Sequence, residues 1–122
     1  MRWRALAGAL VLAVPLAGCG AARQAEPIPG ADADRGKQVI EDVGCGACHS
    51  IPGIRTADGR VGPPLDGFDR RRIVAGKLPN TPLTLAHWIR FPQAVVPGND
   101  MPNLGLSRHE ARDVAAYLLQ RT

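Results

Sequence analysis

Two thiols and an imidazole stand together at Cys45-Gly46-Ala47-Cys48-His49, and their spacing suits one chemistry in particular. Thiols three residues apart on a helical turn can each add to a vinyl group of haem, and the imidazole that follows lies where it can bind the iron. C-x-x-C-H is the attachment signature of a covalent c-type haem, with His49 as its axial nitrogen ligand. A bare C-x-x-C would equally suit a thioredoxin-like disulfide or half of a zinc site. Zinc needs a second pair of ligands, and the one other cysteine, Cys19, is far away in an apolar leader. A thioredoxin-like fold needs strands alternating with helices, a pattern this chain lacks. One such motif implies one haem.

A second axial ligand decides what the iron can do. Met1 belongs to the leader, which leaves Met101 as the thioether of the remaining chain, within Pro97-Gly98-Asn99-Asp100-Met101-Pro102 and 52 residues after His49. A proline-flanked loop presents a ligand with little backbone entropy left to lose. A methionine used as core filler suits a helix face better. Met101 is therefore the expected sixth ligand, and His87 and His109, on helices, are expected at the surface. Closed by His49 and Met101, the iron would have no vacant site for oxygen, peroxide or a substrate, and outer-sphere electron transfer would remain. Thioether ligation also raises the potential. A ligand sensor or peroxidase-like enzyme would require Met101 to be absent or labile.

A small domain must position these groups. The chain has 122 residues, room for one module. A basic start, Met1-Arg2-Trp3-Arg4, precedes an apolar run from Ala5 to Ala17 that falls short of the roughly 20 residues needed to span a bilayer. Residues 1–18 read as a secretory signal peptide. Leu16-Ala17-Gly18-Cys19 resembles the bacterial lipobox, which implies cleavage before Cys19 and lipidation of its thiol. Buried acyl methylenes contribute about 0.8 kcal/mol each, so several chains would hold the domain at a membrane. Residues 19–30, small, polar and proline-containing after the cysteine, read as a flexible linker, and 31–122 as the folded domain. The expected location is the extracytoplasmic face of a bacterial membrane. Fifteen basic and 11 acidic side chains give an excess that halves once Arg2 and Arg4 leave, and two haem propionates would offset the rest. Nothing in that balance favours nucleic acid as a partner. The densest basic patch, Arg70-Arg71-Arg72, reads as a solvated helix face, with docking or propionate neutralisation as its functional alternatives.

Within the domain every strong signal is helical. Asp32 or Asp34 can cap a helix running to about Val43, with Gly44 ending it just before the motif. Asp69 to Ala75 reads as a short helix stopped by Gly76. Thr81 and Pro82 give an N-cap and a first-turn proline, and that helix must end near Phe91 because Pro92 follows. Ser107-Arg108-His109-Glu110 is a capping box, followed by Ala111, Val114, Ala115 and Leu118 on one face. The expected fold class is all-α, short helices wrapped around one covalent haem that completes a core too small to build easily from side chains alone.

With the haem motif near its start and a methionine loop before the last helix, the domain resembles a class I cytochrome c across residues 31–122, in a lipoprotein-anchored form. The resemblance implies that Cys45 and Cys48 form the thioethers and that His49 and Met101 bind the iron. Gly62-Pro63-Pro64-Leu65 is similar to the family's G-P-x-L segment, which implies that the Pro63 carbonyl accepts a hydrogen bond from His49 Nδ1 and that Leu65 packs on the ring. Gly36 and Tyr117 match the family's small-against-aromatic helix crossing. Trp88 stands in a region where the family often has a tryptophan donating to a haem propionate, although core packing explains it equally well. The lysine-ringed face of mitochondrial-type members is missing, since beyond the leader the lysines are Lys37 and Lys77. The function implied is single-electron transfer in a respiratory chain, with a bc-type complex or dehydrogenase as donor and a terminal oxidase as acceptor. A fixed haem subunit of an oxidase or dehydrogenase complex is the alternative.

Overall fold

The computed structural model describes residues 27–122. The expected signal peptide, Cys19 and the linker as far as residue 26 lie outside the described residues. Four α-helices are present among them: α1 (Ala33–Val43), α2 (Pro82–Arg90), α3 (Pro92–Val95) and α4 (Arg108–Arg121). Single 3₁₀ turns cover Cys45–Ala47 and Phe68–Arg70, and a small antiparallel ribbon pairs β1 (Ile73–Val74) with β2 (Leu78–Pro79).

The three longer helices begin and end where local chemistry dictates. Asp32, in extended conformation, caps α1 by accepting from the Asp34 and Arg35 amides at 2.9 and 3.1 Å. Asp34 lies inside the first turn, where its charge complements the helix dipole. Gly44 closes α1 at φ +81°, a left-handed conformation that a residue with a Cβ rarely adopts. Thr81 and Thr84 cap α2 reciprocally, with Pro82 in its first turn. Ser107 and Glu110 form the expected box on α4, and the hydrogen bonds from Ser107 hold the Glu110 carboxyl below its ordinary range.

The core lies where α1 crosses α4 and α2 packs on α4. Ile40, Ala111, Val114, Ala115 and Leu118 meet there with Leu85 and Ile89 of α2, and Ile51, Ile54 and Phe68 close the cluster from the loops. A Cβ at Gly36 would stand 2.5 Å from the Asp113 carbonyl carbon and closer still to its oxygen. Gly36 therefore packs on the α4 backbone at Asp113 and Val114. Tyr117, one turn further along, serves another contact, its hydroxyl donating to the Pro52 carbonyl at 2.7 Å. Asp113 is buried, and its carboxylate accepts from the Asp32 amide at 2.8 Å and from Arg35 at 3.0 and 3.3 Å. Burial alone would raise its pKa, but the Arg35 and Asp32 hydrogen bonds outweigh it and hold the carboxyl below the usual range.

Two expectations are corrected. The segment Asp69 to Ala75 is not a helix: after the 3₁₀ turn the chain becomes extended at Arg71 and reverses through Ala75 (φ +55°) and Gly76 (φ +70°) into the ribbon. Asn80 explains the outcome, because its side-chain amide takes the Phe68 and Arg71 carbonyls at 2.9 and 3.0 Å and its backbone amide takes that of Arg72 at 2.9 Å. The Phe68 carbonyl also accepts from the Arg71 amide within the 3₁₀ turn, but those of Arg71 and Arg72 are claimed from across the ribbon and not by a helical ladder. The packed domain also reaches back before residue 31, since Ile28 is buried in the core and its carbonyl accepts from the Ala31 amide at 3.0 Å. One isoleucine between prolines carries no periodicity by which sequence could separate it from a linker.

Asp113→Asn should lower the unfolding free energy at neutral pH by about 1–2 kcal/mol, the scale of weakened hydrogen bonds to a buried charge. The wild-type contribution is complete above the unfolded carboxylate pKa and disappears as pH falls through the depressed folded value. Denaturant titrations over an acid pH series should therefore show a flatter acid limb in the variant than in the wild type.

Candidate functional site

Because Gly44 turns the chain out of α1 directly into the Cys45–Ala47 turn, the thiol and imidazole residues follow the C-terminus of that helix without a spacer. The Cys45 carbonyl accepts from the Cys48 and His49 amides at 3.2 and 3.0 Å, which draws all three side-chain positions onto one turn. The following loop lies flat over this turn. Gly59 donates to the Gly46 carbonyl at 3.0 Å and Gly62 to the Cys48 carbonyl at 2.8 Å. A Cβ at Gly46 would meet Ala57 Cα at 2.6 Å, and one at Gly59 would meet the Cys48 carbonyl carbon at 2.5 Å, so both positions need glycine. Cys45 and Cys48 are unbridged and half-buried. Burial raises the Cys45 thiol pKa, against a smaller backbone effect and with Cys48 adding to the rise. Thiol-disulfide enzymes need the reverse, a depressed thiol in their C-x-x-C pair.

His49 is fixed on both sides of its ring. Its Nδ1 lies 2.7 Å from the Pro63 carbonyl, which can only accept, so Nδ1 carries the proton and Nε2 keeps the lone pair for a metal. Gly62 lies against the ring, where a Cβ would stand 2.7 Å from Nδ1 and nearer still to Cε1. Leu65 is anchored through its amide to the Ser50 carbonyl at 2.9 Å and packs, half-buried, on the core. Arg71 braces the same segment by donating to the Pro64 carbonyl and, at 3.3 Å, to that of Asp66, with its guanidinium 4.7 Å from the centre of the Phe68 ring. The arginine triplet is accordingly no helix face. Arg70 pairs with Asp69 at 3.6 Å, Arg71 points inward, and Arg72 is exposed.

Met101 sits in a separate loop after α3, and two amide side chains missed in the sequence build that loop. Asn99 accepts from the Met101 amide at 2.7 Å and donates to the Pro92 and Val96 carbonyls at 3.0 and 2.6 Å. Gln93 donates to the Asn99 and Met101 carbonyls, both at 2.8 Å, and accepts from the Gly98 amide at 3.1 Å. Asn two residues before the methionine is an Asx-turn signal that could have been read. Gln93, six positions before Asn99, left no local signal. Trp88 packs half-buried against the core. His87 is exposed, its ring 5.5 Å from that of Phe91, and His109 lines a surface groove with Arg35, Asp42, Glu110 and Asp113. Among the described residues no three His, Cys, Asp or Glu side chains converge as a zinc site would.

This donor set fits a covalently held haem: two free thiols on one turn, an imidazole with Nε2 available and its orientation set, and a thioether on a cross-braced loop. Comparison with known proteins agrees. Residues 33–122 match the family described as Cytochrome c. Over 87 residues, 70% of this chain, the sequence is 38% identical to cytochrome c oxidase subunit 2 of Alkalihalophilus pseudofirmus, of which the match covers 25%. It is 35% identical over 66 residues, 52% of this chain, to cytochrome c oxidase subunit 2 of a Bacillus species, covering 18% of that protein. The chain thus corresponds to about a quarter or less of the length of these relatives.

Gly62→Ala should push the imidazole away from Pro63 and cost about 1–3 kcal/mol, as overpacking a tight contact does. Denaturant unfolding, together with the solvent exchange rate of the His49 Nδ1 proton by NMR, measures both effects, and faster exchange is expected.

Proposed function

Because the chain belongs to the cytochrome c family, whose members transfer electrons through covalently bound haem c, we propose that it is a monohaem single-electron carrier with His49 and Met101 as iron ligands and Cys45 and Cys48 as thioether donors. The observation that carries this reading is the hydrogen bond from His49 Nδ1 to Pro63, which leaves Nε2 as the ring's only metal-binding nitrogen. When bound, haem supplies a one-electron Fe(II)/Fe(III) couple. The Pro63 carbonyl raises the basicity of His49 and holds its ring in one orientation. Met101 would hold the iron with a soft donor, which would raise the potential and deny that place to oxygen or peroxide. Leu65 and Trp88, both half-buried against the core, would line the haem, Leu65 as an apolar cover against water and Trp88 as a donor for a propionate. The hydrogen bonds around Pro63 and around Met101 would hold both ligand residues in position for the iron.

The relatives are oxidase subunits, which supports a terminal oxidase as electron acceptor, with a bc-type complex or a dehydrogenase as donor. The same similarity favours a second reading, in which the chain is a fixed haem subunit of such an oxidase. Among the described residues no helix is long and apolar enough to cross a membrane. Attachment at the extracytoplasmic face would come from lipid at Cys19, which the lipobox-like run Leu16-Ala17-Gly18-Cys19 supports.

The visible spectrum of the purified protein in both redox states tests haem attachment, spin state and sixth ligand together. Met101→Ala should keep the haem, lose the methionine-to-Fe(III) charge-transfer band and lower the potential. An unchanged ferric spectrum in that variant would sink the ligand assignment. Mass spectrometry of protein extracted from membranes should find Cys19 N-terminal and diacylated, and extraction in mild detergent should release a shuttle free of the oxidase but a fixed subunit bound to it.

A further inference from the structure

We infer that Gln93 is a positioning residue for Met101, its carboxamide setting how readily the thioether leaves the iron. This rests on Met101 being the sixth ligand. Gln93 projects from α3, a single helical turn whose Pro92 and Val95 are buried, so the carboxamide starts from a fixed base. Each hydrogen-bonding atom of that group is used on the loop. The nitrogen donates to the carbonyls of Asn99 and Met101 at 2.8 Å each, and the oxygen accepts from the Gly98 amide at 3.1 Å. The two donated bonds straddle Asp100, and one ends on the backbone of the ligand residue itself.

Asn99 also bonds Met101 and ties the loop to the Pro92 and Val96 carbonyls, yet it belongs to the loop that has to move. Gln93 does not, and it braces the loop from the helical side, with one bond ending on Met101 itself. Between residues 97 and 103 no side chain is buried and none belongs to the core cluster. The order of that stretch is therefore supplied by these polar bonds and not by helix packing. Loss of the brace should appear as local opening, which is governed separately from global unfolding. With haem bound, each such opening would withdraw Met101 as a ligand and admit an external one.

The experiment uses haem-loaded ferric protein and follows displacement of Met101 by imidazole through decay of the methionine-to-Fe(III) charge-transfer band. Gln93→Leu deletes all three bonds and should speed displacement about 10–100-fold, the scale of two or three lost hydrogen bonds. Gln93→Glu keeps the acceptor for Gly98, loses both donors, and should also speed displacement. It carries the test if the leucine variant fails to assemble. Tyr117→Phe is the control: it removes the bond to Pro52, lowers global stability and should leave the displacement rate unchanged. Wild-type displacement rates in both Gln93 variants would overturn the inference, as would equal acceleration by Tyr117→Phe. A wild-type protein without the band would instead overturn Met101 as ligand, and the role of Gln93 with it.

Discussion

The close approach of α1 to α4 at Gly36 is the constraint on which the other parts depend. No Cβ fits between Gly36 and the Asp113 carbonyl, so the two backbones are in contact, and the depth and angle of their crossing are set by atoms that cannot adjust. The buried Asp113 carboxylate reinforces this by binding the Asp32 amide at the start of α1 and Arg35 one turn later. An α-helix rises about 1.5 Å per residue. The eight residues of α1 from Gly36 to Val43 thus act as a rigid spacer from that anchor to Gly44, where the Cys45 turn begins. A change in the crossing would be transmitted along the helix to both thiols and the imidazole.

From that fixed point the two proposed axial ligands are braced by different means. His49 is held by backbone: a carbonyl on Nδ1, a glycine against the ring, and two glycines that let the covering loop touch the motif. Met101 is held by side-chain amides reaching across an otherwise irregular loop. The histidine side therefore shares the rigidity of the core, while the methionine side has the stability of a handful of polar bonds. For a one-electron carrier this asymmetry is sufficient, since only ligand exchange needs to be resisted at the methionine. It also makes that loop the place where a carrier could shade into a ligand-binding protein.

What was legible in the sequence was what is encoded locally. The ends of α1, α2 and α4 follow from Asp32, Gly44, the Thr81-Pro82 pair and the Ser107 box, each acting within one turn of itself. The histidine brace was also readable, since Gly62-Pro63-Pro64-Leu65 resembles a known segment and the hydrogen bond is there. What stayed hidden depends on groups distant in sequence. The ribbon at 73–79 forms because Asn80 takes carbonyls 9 and 12 residues back. At Gly36 the atom that excludes a Cβ is the Asp113 carbonyl oxygen, a backbone atom that no residue identity reveals. Gln93 escaped notice for the same reason, as it binds main-chain atoms and leaves no pattern in the side chains it serves.

Charge is the point on which structure most alters the sequence reading. The overall balance is near zero and only two lysines lie beyond the leader, yet the charges are segregated well beyond the Arg70-Arg71-Arg72 patch. From Arg55 to Lys77 there are six basic and three acidic residues, whereas the rest of the described domain has six basic and seven acidic. That basic stretch is the one that covers the haem motif and carries the His49 brace. Arg71 is committed to the Pro64 and Asp66 carbonyls, but Arg55, Arg60, Arg70, Arg72 and Lys77 are exposed. Guanidinium is less strongly hydrated than ammonium and binds carboxylates in pairs of hydrogen bonds. A positive field beside the motif can therefore arise without a lysine ring, and its effect on association should weaken with ionic strength as that of any exposed cluster does.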